Sequence, residues 1–270
     1  MSEGTPKGVV LLGAGGRMGQ ALARCLTGNA VPGLALKGAV DLWDHPMLNK
    51  EMGPGVLLES NLEAVVARGD VVIDFSSHHG TAGNAERLGE WRKPWVIGTT
   101  GLSEEERRAV EKASESIPVV MAPNMSLGVN LLFVLLEEAA RALKGKGYDV
   151  EIVERHHRLK KDAPSGTAIG LGEAVARGLE WKLDEVAVHG RSGISKEIRP
   201  DEEIGFHAVR GGDFVGDHTV IFATGGESLE FSHRATTRDT FAVGALRAAA
   251  WVVDQKPGLY SMRDVLGVGT

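Results

Sequence analysis

Short, unbroken apolar runs punctuate the first half of the chain. Gly8 to Leu12, Leu34 to Val40, Val71-Val72-Ile73, Trp95-Val96-Ile97 and Val119-Val120-Met121 have the length and character of strands buried on both faces. Between them the spacing turns helical. One helix starts at about Arg17, with Met18, Ala21, Leu22, Cys25 and Leu26 on one side. Residues 81–91 and 103–115 are helical in composition, the latter opening on the acidic turn Ser103-Glu104-Glu105-Glu106. Each run ends in polar or Gly-rich residues. Alternating strand and helix with such ends predicts an α/β fold, a doubly wound parallel sheet whose ligands lie along its carboxyl edge.

The pattern changes after Ser126, which is placed to cap a longer helix, Val129 to Leu143. Tyr148 to Val153 then reads as a strand and Ala168 to Leu179 as a helix. Val186 to Val188, Ile204 to Val209, Val215 to Ala223 and Leu229 to Ala235 follow without good helices between them. These predict a central α+β region with a mixed or antiparallel open sheet, one face packed on helices and the other free for water or a partner subunit. A last helix, about Thr240 to Val253, has the Ala/Val/Leu spacing of a helix laid on a sheet. A chain of 270 residues has room for about two such domains.

Composition narrows the function. The 36 glycines exceed the average usage of about 7% and stand singly inside ordered segments, which suits tight turns and close ligand approach. The net charge of -6, with Lys and Arg dispersed, excludes a nucleic-acid footprint. The longest apolar stretch, Leu131 to Leu136, is too short to span a bilayer, and the first residues make a poor secretory signal. The single cysteine, Cys25, lies on an apolar helix face as a core residue and fits a reducing cytoplasm.

Gly13-Ala14-Gly15-Gly16-Arg17-Met18-Gly19 follows the first strand at once and opens the first helix. That context makes a dinucleotide fingerprint, although a strict G-x-G-x-x-G would need glycine at Met18. Asp41, ending the second strand, stands where an acid holds the adenosine ribose. With Leu42-Trp43-Asp44 after it and no cation, it favours NADH; NADPH remains usable through Arg17.

The richest chemistry lies at Glu154 to Ala168, E-R-H-H-R-L-K-K-D-A-P-S-G-T-A. It joins a strand to a helix whose N-cap falls at Ser165 or Gly166. The N–H groups of Gly166, Thr167 and Ala168 would then face Lys160 and Lys161, a setting for a small carboxylate or phosphate. His156 and His157 add proton-transfer capacity. A metallohydrolase would draw on the same histidines with His189, His207, His218 and His233, but no H-E-x-x-H or C-x-x-C spacing occurs and no catalytic metal is expected. His78-His79 reads as a loop, and His207, His218 and His233 as satisfied sheet histidines.

The Gly13 to Gly19 turn, Gly98-Thr99-Thr100-Gly101, Ala122-Pro123-Asn124-Met125-Ser126 with Gly128-Val129-Asn130, the Glu154 to Ala168 block and Phe231-Ser232-His233 through Gly244-Ala245 together resemble the dihydrodipicolinate reductase family. The resemblance covers essentially the whole chain. It implies a dinucleotide-binding domain of residues 1–126 and 237–270, and a substrate-binding domain, 127–236, that also builds a homotetramer. It implies reduction of a cyclic imine dicarboxylate by NADH or NADPH in lysine and diaminopimelate synthesis. His156 would be the proton donor and Lys160 a second acid or carboxylate partner, while His157, Gly166 and Thr167 hold substrate. Gly13, Ala14, Gly15, Gly16, Arg17, Met18, Asp41, Gly98, Thr99, Thr100, Ala122, Pro123, Asn124 and Met125 would line the cofactor. Met125 and Leu42 depart from an aromatic and an arginine carried by some members. A catalytically silent dinucleotide-binding or redox-sensing protein is the alternative on the same fold.

Overall fold

A computed structural model describes residues 5–268; the ends of the expected first domain, 1–4 and 269–270, lie outside them. The chain divides into two compact units, residues 1–127 with 238–270, and residues 128–237.

The first unit opens with β1 (Lys7–Leu12), α1 (Arg17–Thr27) and β2 (Leu34–Val40), then a hairpin, β3 (Glu51–Gly53) and β4 (Val56–Glu59), and the short α2 (Leu62–Val66). β5 (Val71–Asp74), α3 (Thr81–Glu90), β6 (Trp95–Ile97), α4 (Glu104–Ser114) and β7 (Pro118–Met121) complete its N-terminal part. The second unit holds α5 (Leu127–Leu143) from residue 128 on, β8 (Asp149–His156), α6 (Gly166–Leu179), α7 (Leu183–Val186), β9 (Ala187–His189), β10 (Ile204–Arg210), β11 (Gly216–Thr224) and β12 (Glu227–Ala235). The chain returns to the first unit with α8 (Asp239–Val252), β13 (Gly258–Tyr260) and α9 (Met262–Leu266).

In the first unit eight strands form one sheet in the order β13-β7-β6-β5-β1-β2-β4-β3. All neighbours run parallel except the β3–β4 hairpin. The fold is the expected doubly wound α/β sheet. Apolar runs such as Val9-Val10-Leu11 alternate between two cores. Val9 and Leu11 pack with α1 and α8, and Val10 and Leu12 with α2, α3 and α4. The strand order reverses beside β1, between β2 and β5, which opens a crevice at the carboxyl ends there.

The second sheet is mixed, in the order β12-β11-β8-β10-β9, with β8 parallel to β10 and antiparallel to β11. One face packs on α5 and α6 through Leu132, Leu136, Leu171, Val175, Ile152 and Phe222. Several boundaries depart from the sequence reading. β8 runs three residues past Val153, because β10 and β11 pair with it to its end. Val186 closes a short helix rather than opening a strand. His78-His79 forms a 3₁₀ turn, not an irregular loop. The β3–β4 hairpin, α2, β13 and α9 carry too few periodic apolar residues to be seen before the sheet exists to receive them. Among the described residues no helix is long and apolar enough to cross a membrane.

Helix α8 seats on the first unit through a glycine. A Cβ at Gly244 would lie 1.8 Å from the carbonyl oxygen of Met125. Gly244→Ala should therefore destabilise the fold by about 1–3 kcal/mol despite alanine's better helix propensity. Gly83→Ala, in open space on α3, should be neutral or stabilising by up to about 1 kcal/mol. Urea denaturation of both variants checks the pair, and equal effects would contradict the packing described.

Candidate active site

Along β8 the side chains turned to the helices are Val150, Ile152, Glu154 and His156, all buried. The stripe that begins apolar thus ends in an acid and an imidazole, which β-strand alternation places on the same face. Glu154 is 1% exposed and cannot stay charged without partners. It has four polar contacts. The two terminal nitrogens of Arg210 donate to its two oxygens, each at 2.7 Å; the Ser165 N–H donates to Oε1 at 3.1 Å; and Oε2 lies 2.5 Å from His156 Nδ1. Burial alone would raise its carboxyl, but the hydrogen bonds from His156 and Arg210 outweigh burial and bring it to about 2. An ionised carboxylate only accepts, so His156 Nδ1 carries a proton and Nε2 is the nitrogen left for chemistry. Nε2 lies beside Gly216, where a Cβ would approach it to 3.1 Å.

Past the strand the chain is held by backbone bonds. The His157 N–H donates to Phe214 O at 2.8 Å, the Arg158 N–H to Gly212 O at 3.2 Å, and the Lys160 N–H to His157 O at 3.1 Å. His157 is half-buried where His156 is buried, as adjacent strand-end residues facing opposite ways require. Lys160 Nζ pairs with Asp162 at 2.8 Å. Arg210 also donates to the Asp162 carbonyl, so one guanidinium ties Glu154 to the lysine loop. The Ala163–Pro164 peptide is cis, and Ser165 caps α6 by accepting the Ala168 N–H at 3.2 Å. Capping removes Ala168 from the expected anion site.

His218 went unrecognised as a site residue. On β11 opposite Glu154, its Nε2 lies 3.1 Å from Ser165 Oγ and its ring meets His156 edge-on at 5.1 Å. Its Nδ1 is buried with no partner among the described residues, so it is not the satisfied sheet histidine expected. Burial first, then the nearby His156 charge, push it down to about 3; Lys160 acts in the same direction. His207, by contrast, is paired to Glu151 at 2.7 Å. A lone histidine in an alternating strand carries no sign of which case applies.

The first unit contains a crevice of about 1210 Å³ at the carboxyl edge, lined by Gly13, Gly16, Asp41, Leu42, His45, Ser60, Ser76, His79, Asn84 and Arg87 among others. Gly13 has φ +70°, and a Cβ on it would lie 2.5 Å from Phe75 O, so the turn needs glycine. Helix α1 has Gly16 at its N-cap, with no side-chain cap and no acid in its first turn, leaving its N-terminal N–H groups suited to a pyrophosphate. Asp41 accepts the Gly15 N–H at 2.8 Å and the Leu42 N–H at 2.9 Å. It makes no ion pair among the described residues. These residues fit a dinucleotide.

The other expected cofactor residues do not all reach the crevice. Ala14 and Gly15 are buried, the latter beneath the His45 ring, and Arg17 is exposed. Met18, half-buried, packs against the core of the first unit, and Met125 is buried in it. Gly98 is buried against the Phe75 ring, Thr100 is exposed, and Ala122 is buried and followed by an exposed Pro123 and a half-buried Asn124. Thr99 donates to Asp74, a fully buried acid that also accepts from the Ser76 N–H and hydroxyl and from Asn84. His45, Asn84 and Arg87 were not anticipated, since only the folded sheet gathers them.

Cys25 is buried as expected, and burial raises its thiol above the ordinary value. His218 and Glu154 make the second unit acid-sensitive. Unfolded, His218 binds a proton near 6.5, but folded it does so only near 3, so stability falls as pH drops below 6.5. Glu154 contributes stability that is present above 4.5 and lost as pH falls towards 2. His218→Gln should flatten part of the fall between pH 6.5 and 4.5, and Glu154→Gln part of that below 4.5, in urea denaturation at stepped pH. An unchanged wild-type slope in His218→Gln would remove the buried neutral imidazole.

Comparison with known proteins extends these observations. Family models described as the N-terminus and the C-terminus of dihydrodipicolinate reductase match residues 7–125 and 128–266. A 4-hydroxy-tetrahydrodipicolinate reductase of Syntrophus aciditrophicus (strain SB) is 48% identical over 265 residues, 96% of this chain and 97% of its own. One from Magnetococcus marinus is also 48% identical, over 96% and 98%. A solved dipicolinate-bound dihydrodipicolinate reductase from Paenisporosarcina sp. TG-14 shares the fold, with TM-score 0.75 at 24% identity over 95% of this chain and 97% of that one. With a model matched along each part of its length and relatives at nearly half identity end to end, this chain belongs to the dihydrodipicolinate reductase family.

Proposed function

We propose that the chain is a 4-hydroxy-tetrahydrodipicolinate reductase, reducing a cyclic, conjugated imine dicarboxylate to tetrahydrodipicolinate in lysine and diaminopimelate biosynthesis. The observation that supports it most is the buried Glu154–His156 pair, set on the strand that leads to Lys160 and the capped start of α6. A silent dinucleotide binder has no use for a tautomer-fixed imidazole. Dinucleotide binding is assigned to residues 1–126 and 237–270, and substrate binding to 127–236. Residues 13–18, Asp41, 98–100 and 122–125 are the proposed cofactor contacts. The family relation further suggests a cytoplasmic homotetramer, with the open face of the β8–β12 sheet between subunits; there Thr219 and Ser232 hydroxyls meet at 2.9 Å.

A bound reduced nicotinamide supplies a hydride to the ring. What remains is the chain's own chemistry. The reduced ring is an electron-rich enamine that needs one proton. His156 donates it from Nε2 as the imidazolium, protonated on both nitrogens. Nδ1–H stays on Glu154, so the imidazole keeps its orientation and is left as the Nδ1–H tautomer after the transfer. Lys160 acts as a second acid or carboxylate partner, steered by Asp162. His157, Gly166 and Thr167 hold a substrate carboxylate at the helix start. Asp41 presents its carboxylate to the crevice, with lone pairs left for ribose hydroxyls. A 2′-phosphate would meet that charge, so NADH is the preferred cofactor, with NADPH served through Arg17.

Substrate-dependent oxidation of NADH is the deciding experiment; binding of NADH without it would leave only the silent binder. His156→Gln should lower kcat by about 10²-fold or more with cofactor affinity nearly unchanged, and Lys160→Ala should impair both kcat and substrate KM. Near-normal turnover of His156→Gln would displace it as the acid. For cofactor choice, kcat/KM in phosphate-free buffer should favour NADH. A tenfold preference for NADPH, about 1.4 kcal/mol, would reverse the reading of Asp41.

A further inference from the structure

Beyond β5 the chain turns through Ser77 into the 3₁₀ turn His78–Gly80, which carries two adjacent imidazoles. Their ring centroids are 3.9 Å apart. Glu106, in the first turn of α4, faces them. Its Oε2 accepts the Ser103 N–H at 2.6 Å as half of a capping box, and its Oε1 lies 3.1 Å from His78 Nδ1. One donor atom from each of His78, His79 and Glu106 lies within 4.8 Å of the other two. Among the described residues this is the one group of three that could hold a metal ion.

We propose that His78, His79 and Glu106 form a binding site for a divalent transition-metal ion of the zinc type, linking the 3₁₀ turn to the start of α4. Two imidazoles and one carboxylate are a donor set that Zn²⁺ accepts, with a fourth position left for water. Metal–ligand bonds of about 2.0–2.2 Å put tetrahedral donors about 3.4 Å apart. The His78–Glu106 spacing already approaches this. His79 is exposed and gives up no hydrogen bond on turning its ring to close the remaining distance. On binding, the His78–Glu106 hydrogen bond is exchanged for two metal bonds, and the Ser103 N–H stays as the outer contact that aims the carboxylate. The site uses none of the residues given a role in proton transfer or substrate binding, although His79 also lines the crevice, and it stands whether or not the reductase assignment does.

The test is calorimetric titration of the full chain with Zn²⁺, alongside thermal melting with and without the ion. One saturable equivalent should bind the wild type and raise its Tm. His79→Gln and Glu106→Gln should each weaken that binding tenfold or more and lose the rise in Tm. Co²⁺ in place of Zn²⁺ should give a visible absorption band that the variants lack. Unchanged affinity in His79→Gln, or no binding by the wild type, overturns the proposal. Should Glu106→Gln fail to fold through loss of its cap, His79→Gln, which breaks no hydrogen bond, decides the matter alone.

Discussion

The second unit depends on keeping one carboxylate charged inside the protein. Glu154 lies where water cannot solvate it, so the protein must supply what water would have. It does so from three directions: Arg210 from β10, His156 from two residues along its own strand, and the Ser165 N–H from the start of α6. Each of these groups is then no longer independent. Arg210 brings the Asp162 carbonyl with it, Ser165 brings the first turn of α6 and His218, and His156 is left with one tautomer. Removing any single partner would leave an uncompensated charge, a larger loss than the lost contact itself.

The first unit also gathers its loops on a buried acid, here with neutral partners. Asp74 ends β5 in the middle of the parallel sheet, fully buried, and gathers Ser76, Asn84 and Thr99 from three separate segments. Strand termini at a carboxyl edge present polar backbone to one small region, and a buried acid there fixes the loops that follow several strands at once. Gly13 and Gly244 serve this arrangement from the opposite direction, by leaving out the Cβ that would keep backbones apart. Rigid loops at a sheet edge are the setting in which a dinucleotide can be held by main-chain N–H groups.

The metal-ligand group differs from both. It sits at the surface, and its imidazoles are oriented by no buried partner. His78 and Glu106 already satisfy each other. What distinguishes the group is the coincidence of a 3₁₀ turn and a capped helix start, each rigid for its own local reason, at a spacing that suits an ion.

By itself the sequence determined the fold class and the order of most elements. Continuous apolar runs such as Val71-Val72-Ile73 and heptad-like spacing such as Met18 to Leu26 are properties of neighbouring residues, and burial acts on them directly. It also placed His156, Lys160 and Ser165 on one strand-to-helix connection, because they are close in the chain. Tertiary structure decided whatever depends on distant residues. The extension of β8 through His156 exists because β10 and β11 pair with it. The tautomer of His156 rests on a carboxylate whose ionisation needs Arg210, 56 residues away. His218 and His207 look alike as strand histidines; one lost its proton affinity to burial beside His156, and the other gained an acid. Met125 went to the core, and His45, Asn84 and Arg87 to the crevice, since long-range packing, to which local spacing is blind, selects the face each side chain takes.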